Sequence, residues 1–91
     1  MQKSLVTISS DVLFQELEGE AVLLNLANEH YYGLDDIGTR IWQLLQEEHN
    51  VESVVAQMLA EYDASEALLR QDIANLIEEL TQAELVTVET A

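Results

Sequence analysis

Apolar residues change their spacing once along this chain, and the change divides it in two. Through Tyr32 they come in short alternating or continuous runs bounded by Gly and Asn, as strands do. Val12–Leu17 reads as a first strand and Glu18–Gly19–Glu20 as a hairpin turn. Ala21–Leu26 is a second strand, apolar nearly throughout, which predicts that both its faces are covered. Ala27–Asn28–Glu29 is a further turn, Asn tolerating left-handed geometry there, and His30–Tyr31–Tyr32 follows as a short third strand. The result is an antiparallel meander whose last strand has one evident neighbour. Residues 1–11, where Val6 and Ile8 alternate with Thr7 and Ser9, read as an edge strand or an ordered arm.

From Ile37 onward the apolar positions recur every three or four residues. Ile37, Ile41, Leu44 and Leu45 predict a helix from about Ile37 to Glu48, with Trp42 beside the stripe. At the join, Asp35 or Asp36 caps that helix, and Gly33 supplies a backbone conformation that a side chain would resist. Asn50 caps a second helix, Val51 to about Glu61, striped by Val54, Val55, Met58 and Leu59. Ser65 caps a third, with Leu69, Ile73, Leu76, Ile77 and Leu80 on one side, and Ala83–Val88 then reads as a short terminal strand. This order predicts an α+β winged helix-turn-helix: a three-stranded antiparallel sheet, three helices and a short C-terminal strand. Such a sheet is marginal without helices on one face. Trp42 is the candidate plug of that interface, where burying a large aromatic contributes about 1.5–3 kcal/mol.

Composition narrows the function more than the fold. Ninety-one residues with 48% hydrophobic content predict one folded domain, residues 1–91, with its core at about 12–86. Eighteen acidic residues stand against Lys3, Arg40 and Arg70, for a net charge of −15. Nucleic acid and anionic membrane are poor partners for that field. Cysteine is absent, so neither disulfides nor thiolate metal sites are expected. No apolar run reaches signal-peptide or membrane-span length, and a soluble, cytoplasmic protein is the expectation.

Catalytic and metal-binding patterns are missing as well. His30 and His49 stand 19 apart, without the i, i+3 or i+4 partner of a helix-borne metal site. Gly19, Gly33 and Gly38 form no phosphate loop, and the serines have no His–Asp constellation. No enzyme activity, cofactor or metal is therefore expected. Most carboxylates, including the pairs Glu47–Glu48 and Glu78–Glu79, read as solvated surface. Asp72, Asn75 and Glu79 share one face of the third helix beside its apolar stripe. Two readings of that stripe stand: an ordinary wet face, or the border of a peptide groove that meets basic side chains. Of Tyr31 and Tyr32, strand alternation sends one to the core and the other outward.

The block Tyr31-Tyr32-Gly33-Leu34, Gly38 and Ile41-Trp42 resembles the PqqD-like family, the peptide-recognition domains of ribosomal peptide natural-product pathways. The similarity continues upstream through Gly19–Leu26 and downstream through Val54-Val55, Leu59–Tyr62 and Ile77–Leu80, roughly residues 12–86 in all. The resemblance implies a winged helix-turn-helix that captures the leader segment of a precursor peptide between third strand and third helix. It implies presentation of that peptide to modifying enzymes. As a free-standing chain, this one is most like the recognition proteins of lasso-peptide pathways, whose partners would be a leader peptidase and a cyclase. Carried over by position, Glu29, His30, Tyr31 and Tyr32 form the docking strand, and Leu69, Asp72, Ile73 and Leu76 the helix side of the groove. The edge amide available to a ligand is that of His30 or Tyr31.

The alternative within the family is a peptide chaperone for a radical enzyme in quinone-cofactor synthesis. From a different class, a winged-helix DNA-binding regulator would need cations on the third helix. That helix has Arg70 alone against Glu66, Asp72, Glu78 and Glu79. A small enzyme would need a paired acid–base site, which the sequence does not contain.

Overall fold

The computed structural model describes residues 4–90. Its first long strand, β2 (Val12–Leu17), turns back into β3 (Glu20–Asn25) through two left-handed residues, Glu18 at φ 55° and Gly19 at φ 84°. Positive φ at both central positions is the turn whose twist matches paired strands. A second turn ends at Glu29, also left-handed at φ 62°, and leads to β4 (His30–Leu34). The three strands form an antiparallel sheet in the order β2-β3-β4. The third strand is two residues longer than its sequence predicts, because Gly33 and Leu34 still pair with Val22 and Ala21.

Helices α1 (Asp36–Glu48), α2 (Val51–Glu61) and α3 (Glu66–Gln82) begin at the expected caps. Asp35, rather than Asp36, accepts from the Gly38 amide at 2.7 Å; Asn50 and Ser65 cap the other two. A second sheet ties the chain's two ends together. β1 (Ser4–Ile8) pairs antiparallel with β5 (Val86–Thr90), and the Val6 amide donates to the His49 carbonyl between α1 and α2. The edge strand or arm of the sequence reading is thus a paired strand; Lys3 lies outside the described residues.

All three helices meet in one apolar core, and Trp42 is at its centre, fully enclosed. Phe14 of β2 stacks against it, ring centroids 6.5 Å apart, and so fixes the sheet on α1. The indole Nε1–H finds no acceptor among the described residues, so what Trp42 contributes is packing. Asn25 is also buried: its Nδ2 donates to the Ala83 and Glu84 carbonyls at 3.2 Å each, and its Oδ1 accepts from the Ala27 amide. One side chain thereby joins the end of β3 to the turn before β5.

Two expectations are corrected. β3 is covered on one face only: Leu23 is enclosed, whereas its neighbour Val22 is 44% exposed, and Leu26 lies exposed in the turn. The helices occupy a single side of the sheet, so an apolar sequence did not mean two covered faces. Gly33 has no left-handed backbone, and a Cβ built on it meets nothing within 4 Å. Packing instead restricts Gly38, where a Cβ would sit 3.2 Å from both Asp35 Oδ1 and Leu34 Cδ2.

Candidate functional site: the β4 edge and the α3 groove

β4 has a partner on one side only, among the described residues. The pairing register settles which backbone groups it offers on the other. The Leu26 amide donates to the Asp11 carbonyl at 2.7 Å, continuing the register in which Val12 faces Asn25. In an antiparallel ladder the bonded pairs alternate, so β3 turns Val22 and Leu24 toward β2 and Leu23 and Asn25 toward β4. Their partners Tyr32 and His30 therefore point inward, and Tyr31 and Gly33 turn N–H and C=O to the open edge. The expectation for edge amides is halved by this geometry. Tyr31 qualifies; the His30 amide does not, and it donates to Asn28 Oδ1 at 3.0 Å.

Beside this edge runs a groove of about 660 Å³. β4 lines one wall with Tyr32, Gly33 and Leu34, and the start of α1 supplies Asp35 and Ile37. The opposite wall is one face of α3: Asp72, Asn75, Leu76 and Glu79, at the three- and four-residue spacing that stacks side chains along a helix. The polar stripe of the sequence thus borders a concave surface rather than open solvent alone. Tyr32 crosses the groove, its hydroxyl donating to Glu79 Oε1 at 3.0 Å. Burial first, and then that carboxylate, push the Tyr32 hydroxyl up to about 12, so it remains a neutral donor.

Of the residues proposed from sequence, Tyr32, Asp72 and Leu76 line this groove together. Tyr31 faces away from the helices, 73% exposed, and His30 is exposed beside it. Glu29 belongs to the turn before β4. Leu69 and Ile73 lie beneath the wall in the core, with Ile73 fully enclosed, and hold α3 in place from behind. The helical period read correctly that they share a side with Leu76, but burial within that side depends on what α3 packs against. Sequence reasoning missed Asp35 and Ile37, which reach the groove only because α1 starts directly under the end of β4.

The groove is acidic without internal relief. Asp35, Asp72 and Glu79 line it, and no described Arg or Lys does. Both described arginines are engaged elsewhere. Arg40 forms a two-point contact with Glu61 at 2.6 and 2.7 Å, and Arg70 clasps Glu52 at 2.8 and 3.0 Å and Glu66 at 2.9 Å. Arg40, helped by Gln57, holds the Glu61 carboxyl down to about 2, and Arg70 likewise lowers that of Glu52. Among the described residues, no three His, Asp or Glu side chains converge as a metal site.

An open strand edge over a groove walled by a helix is the geometry in which an extended peptide gains a sheet partner and side-chain pockets together. The family described as Coenzyme PQQ synthesis protein D (PqqD) matches residues 20–86. This chain belongs to that family. TbiB1, solved in complex with the TbiA(beta) leader peptide, is 35% identical to this PqqD-family chain and superposes with a TM-score of 0.83. The match covers 88% of this chain and 93% of TbiB1. A lasso peptide synthetase B1 complexed with its leader peptide shares the fold at 22% identity and a TM-score of 0.80, over 90% of this chain and 96% of that one. None of the curated proteins matches the chain.

Proposed function

We propose that this chain binds the leader segment of a ribosomally made precursor peptide and presents it to the enzymes that modify it. The observation that carries the reading is the open edge of β4, where Tyr31 and Gly33 offer unpaired backbone groups beside the acidic groove of α3. A leader in extended form adds there as a fourth strand of the β2-β3-β4 sheet. Its main chain supplies affinity, and alternate side chains supply specificity. Tyr32, Asp72 and Leu76 touch the peptide directly in this reading, Glu29, His30 and Tyr31 set its path, and Leu69 and Ile73 act as supports.

The 35% identity to TbiB1 over most of both chains favours a lasso-peptide pathway, with a leader peptidase and a cyclase as further partners. The work is then binding, without catalysis by this chain, by a single domain in the cytoplasm. Among the described residues, no helix is long and apolar enough to cross a membrane. The second reading, a chaperone for a quinone-cofactor precursor, draws on the description of the matching family. The two differ in the peptide that binds.

Hydrogen exchange with the leader of a precursor encoded beside this chain tests the proposal. The Tyr31 and Gly33 amides are expected to exchange slowly only in the complex, since ladder pairing protects them. Unchanged exchange at both amides, under a titration that proves binding, overturns strand addition.

A further inference from the structure

The groove against α3 lies on one side of the free edge, and the opposite side has a hollow of its own. It measures about 580 Å³ and lies over the cross-strand row Gln15–Val22–Gly33, bordered by Leu17 and Glu20 at the hairpin end. Gly33 borders both hollows. Nothing in this chain's own fold calls for glycine there. Its backbone is not left-handed, and a Cβ would meet no atom within 4 Å. Glycine inside a strand weakens it and often marks a place where a ligand or another backbone comes close. It also bares backbone that a large side chain on the neighbouring strand can cover.

We propose that Gly33 is a specificity-determining residue: the docked peptide lays one large apolar side chain over it, toward Val22, on the face of the sheet away from α3. The proposal rests on the leader-binding reading above and adds a second face to it. Gly33 and Tyr31 both turn their backbone bonds outward, so an added strand places a residue directly opposite each. Directly opposed residues share a face, with Cβ atoms about 4.5–5.5 Å apart, and successive residues alternate faces. The peptide residue opposite Gly33 thus points to the outer hollow, and the one opposite Tyr32 points into the groove toward Leu76 and Asp72.

The chemistry of the outer side chain follows from its surroundings. Val22, directly across from Gly33, is 44% exposed and leaves apolar surface next to a position with no side chain, while Glu20 and Asp35 lie at the hairpin end of the hollow. A short or charged peptide residue would leave that surface wet, whereas a branched or aromatic one removes it from water. The groove side asks for a different residue, apolar for Leu76 or basic for Asp72. An alternating two-sided code is the consequence.

Selecting binders from a displayed library of random peptides tests this, with wild type, Gly33→Ala and Gly33→Leu as targets. Against wild type, binders are expected to carry a large apolar residue at one fixed position. Against Gly33→Leu that position shifts to Gly, Ala or Ser, while the groove-facing preference next to it is kept. Wild-type binders lose on the order of tenfold in affinity for Gly33→Leu, as overfilling a packed contact does, and less for Gly33→Ala. Thermal melts establish that the variants fold, and the Ala variant carries the same test in a smaller step if Leu does not. The same peptide preferences and affinities against all three targets overturn the proposal. If wild-type binders never protect the Tyr31 and Gly33 amides, strand addition itself is wrong and this inference falls with it.

Discussion

Leu23 and Val22 are neighbours in β3, yet one is enclosed by the core and the other stands 44% exposed. The same division runs across the whole sheet. On the inner face, Ala21, Leu23 and Leu34 are buried, and Phe14 stacks on Trp42. On the outer face, Leu13, Leu17, Val22 and Tyr31 keep large apolar surfaces in water. Alternation along each strand creates two faces, and three helices suffice to cover one. The buried part of the inner face holds the fold together, while the outer face and the open edge of β4 stay uncovered. Substitutions in the enclosed core and substitutions at the open edge should therefore have separable effects.

The largest effect is expected at the centre of the inner face. Trp42→Ala should cost about 3–5 kcal/mol, as large core aromatics do, and leave a domain of this size largely unfolded. Urea denaturation followed by circular dichroism measures it; a cooperative transition at the wild-type midpoint would refute the assignment. Asn25→Ala comes next. It strands the Ala83 and Glu84 carbonyls and the Ala27 amide, at a cost of about 1–3 kcal/mol in the same assay.

On the open edge the expectation reverses, with binding lost and fold kept. Tyr31→Pro removes an outward amide and should weaken a bound leader at least about fivefold, the equivalent of about one net hydrogen bond. Its helical circular dichroism should stay near wild type. His30→Pro instead breaks the bond to Asn28 in the turn, and calorimetry comparing the two variants checks the ladder assignment. A smaller effect is expected from Asp72→Lys, which should weaken a basic peptide severalfold and flatten its salt dependence. Charge contacts near a surface are screened beyond roughly 10 Å at 0.1 M salt. Equal affinity at low and moderate salt for wild type would show that the groove's charge plays no part.

The smallest effect should come from the paired charges. Arg40 and then Gln57 hold the Glu61 carboxyl at about 2, below its ordinary 4.5. A depressed carboxyl stabilises the folded state above its unfolded value and loses that contribution as pH falls. The wild-type advantage over Glu61→Gln should therefore be full above pH 4.5 and vanish toward pH 2. Solvent screening keeps it small, and leader affinity at neutral pH should not change. Urea midpoints across that range decide the first point, and calorimetry the second.

Local signals determined most of the elements. The caps Asn50 and Ser65, the apolar period of each helix and the hairpin at Gly19 depend on contacts within a few residues, so α2 and the start of α3 stand where the sequence predicts. The same holds for the stripe Asp72, Asn75 and Glu79, because helical spacing alone puts it on one face. Other features required the assembled chain. β1 and β5 meet across some eighty residues of sequence, a pairing that no local pattern contains. Val22 is exposed because the helices all pack on the other side of the sheet, and hydrophobicity along β3 carries no record of that choice. Ile73 and Leu76 share a helix side, but only the packing of α3 encloses the first and leaves the second at the groove. Sequence alone predicts a conformational requirement at Gly33, whereas the tertiary structure shows an ordinary strand position with open space above it. Sequence specifies a residue's local conformation and its face, through interactions a few residues long. What that face meets is decided when elements far apart in the chain come together.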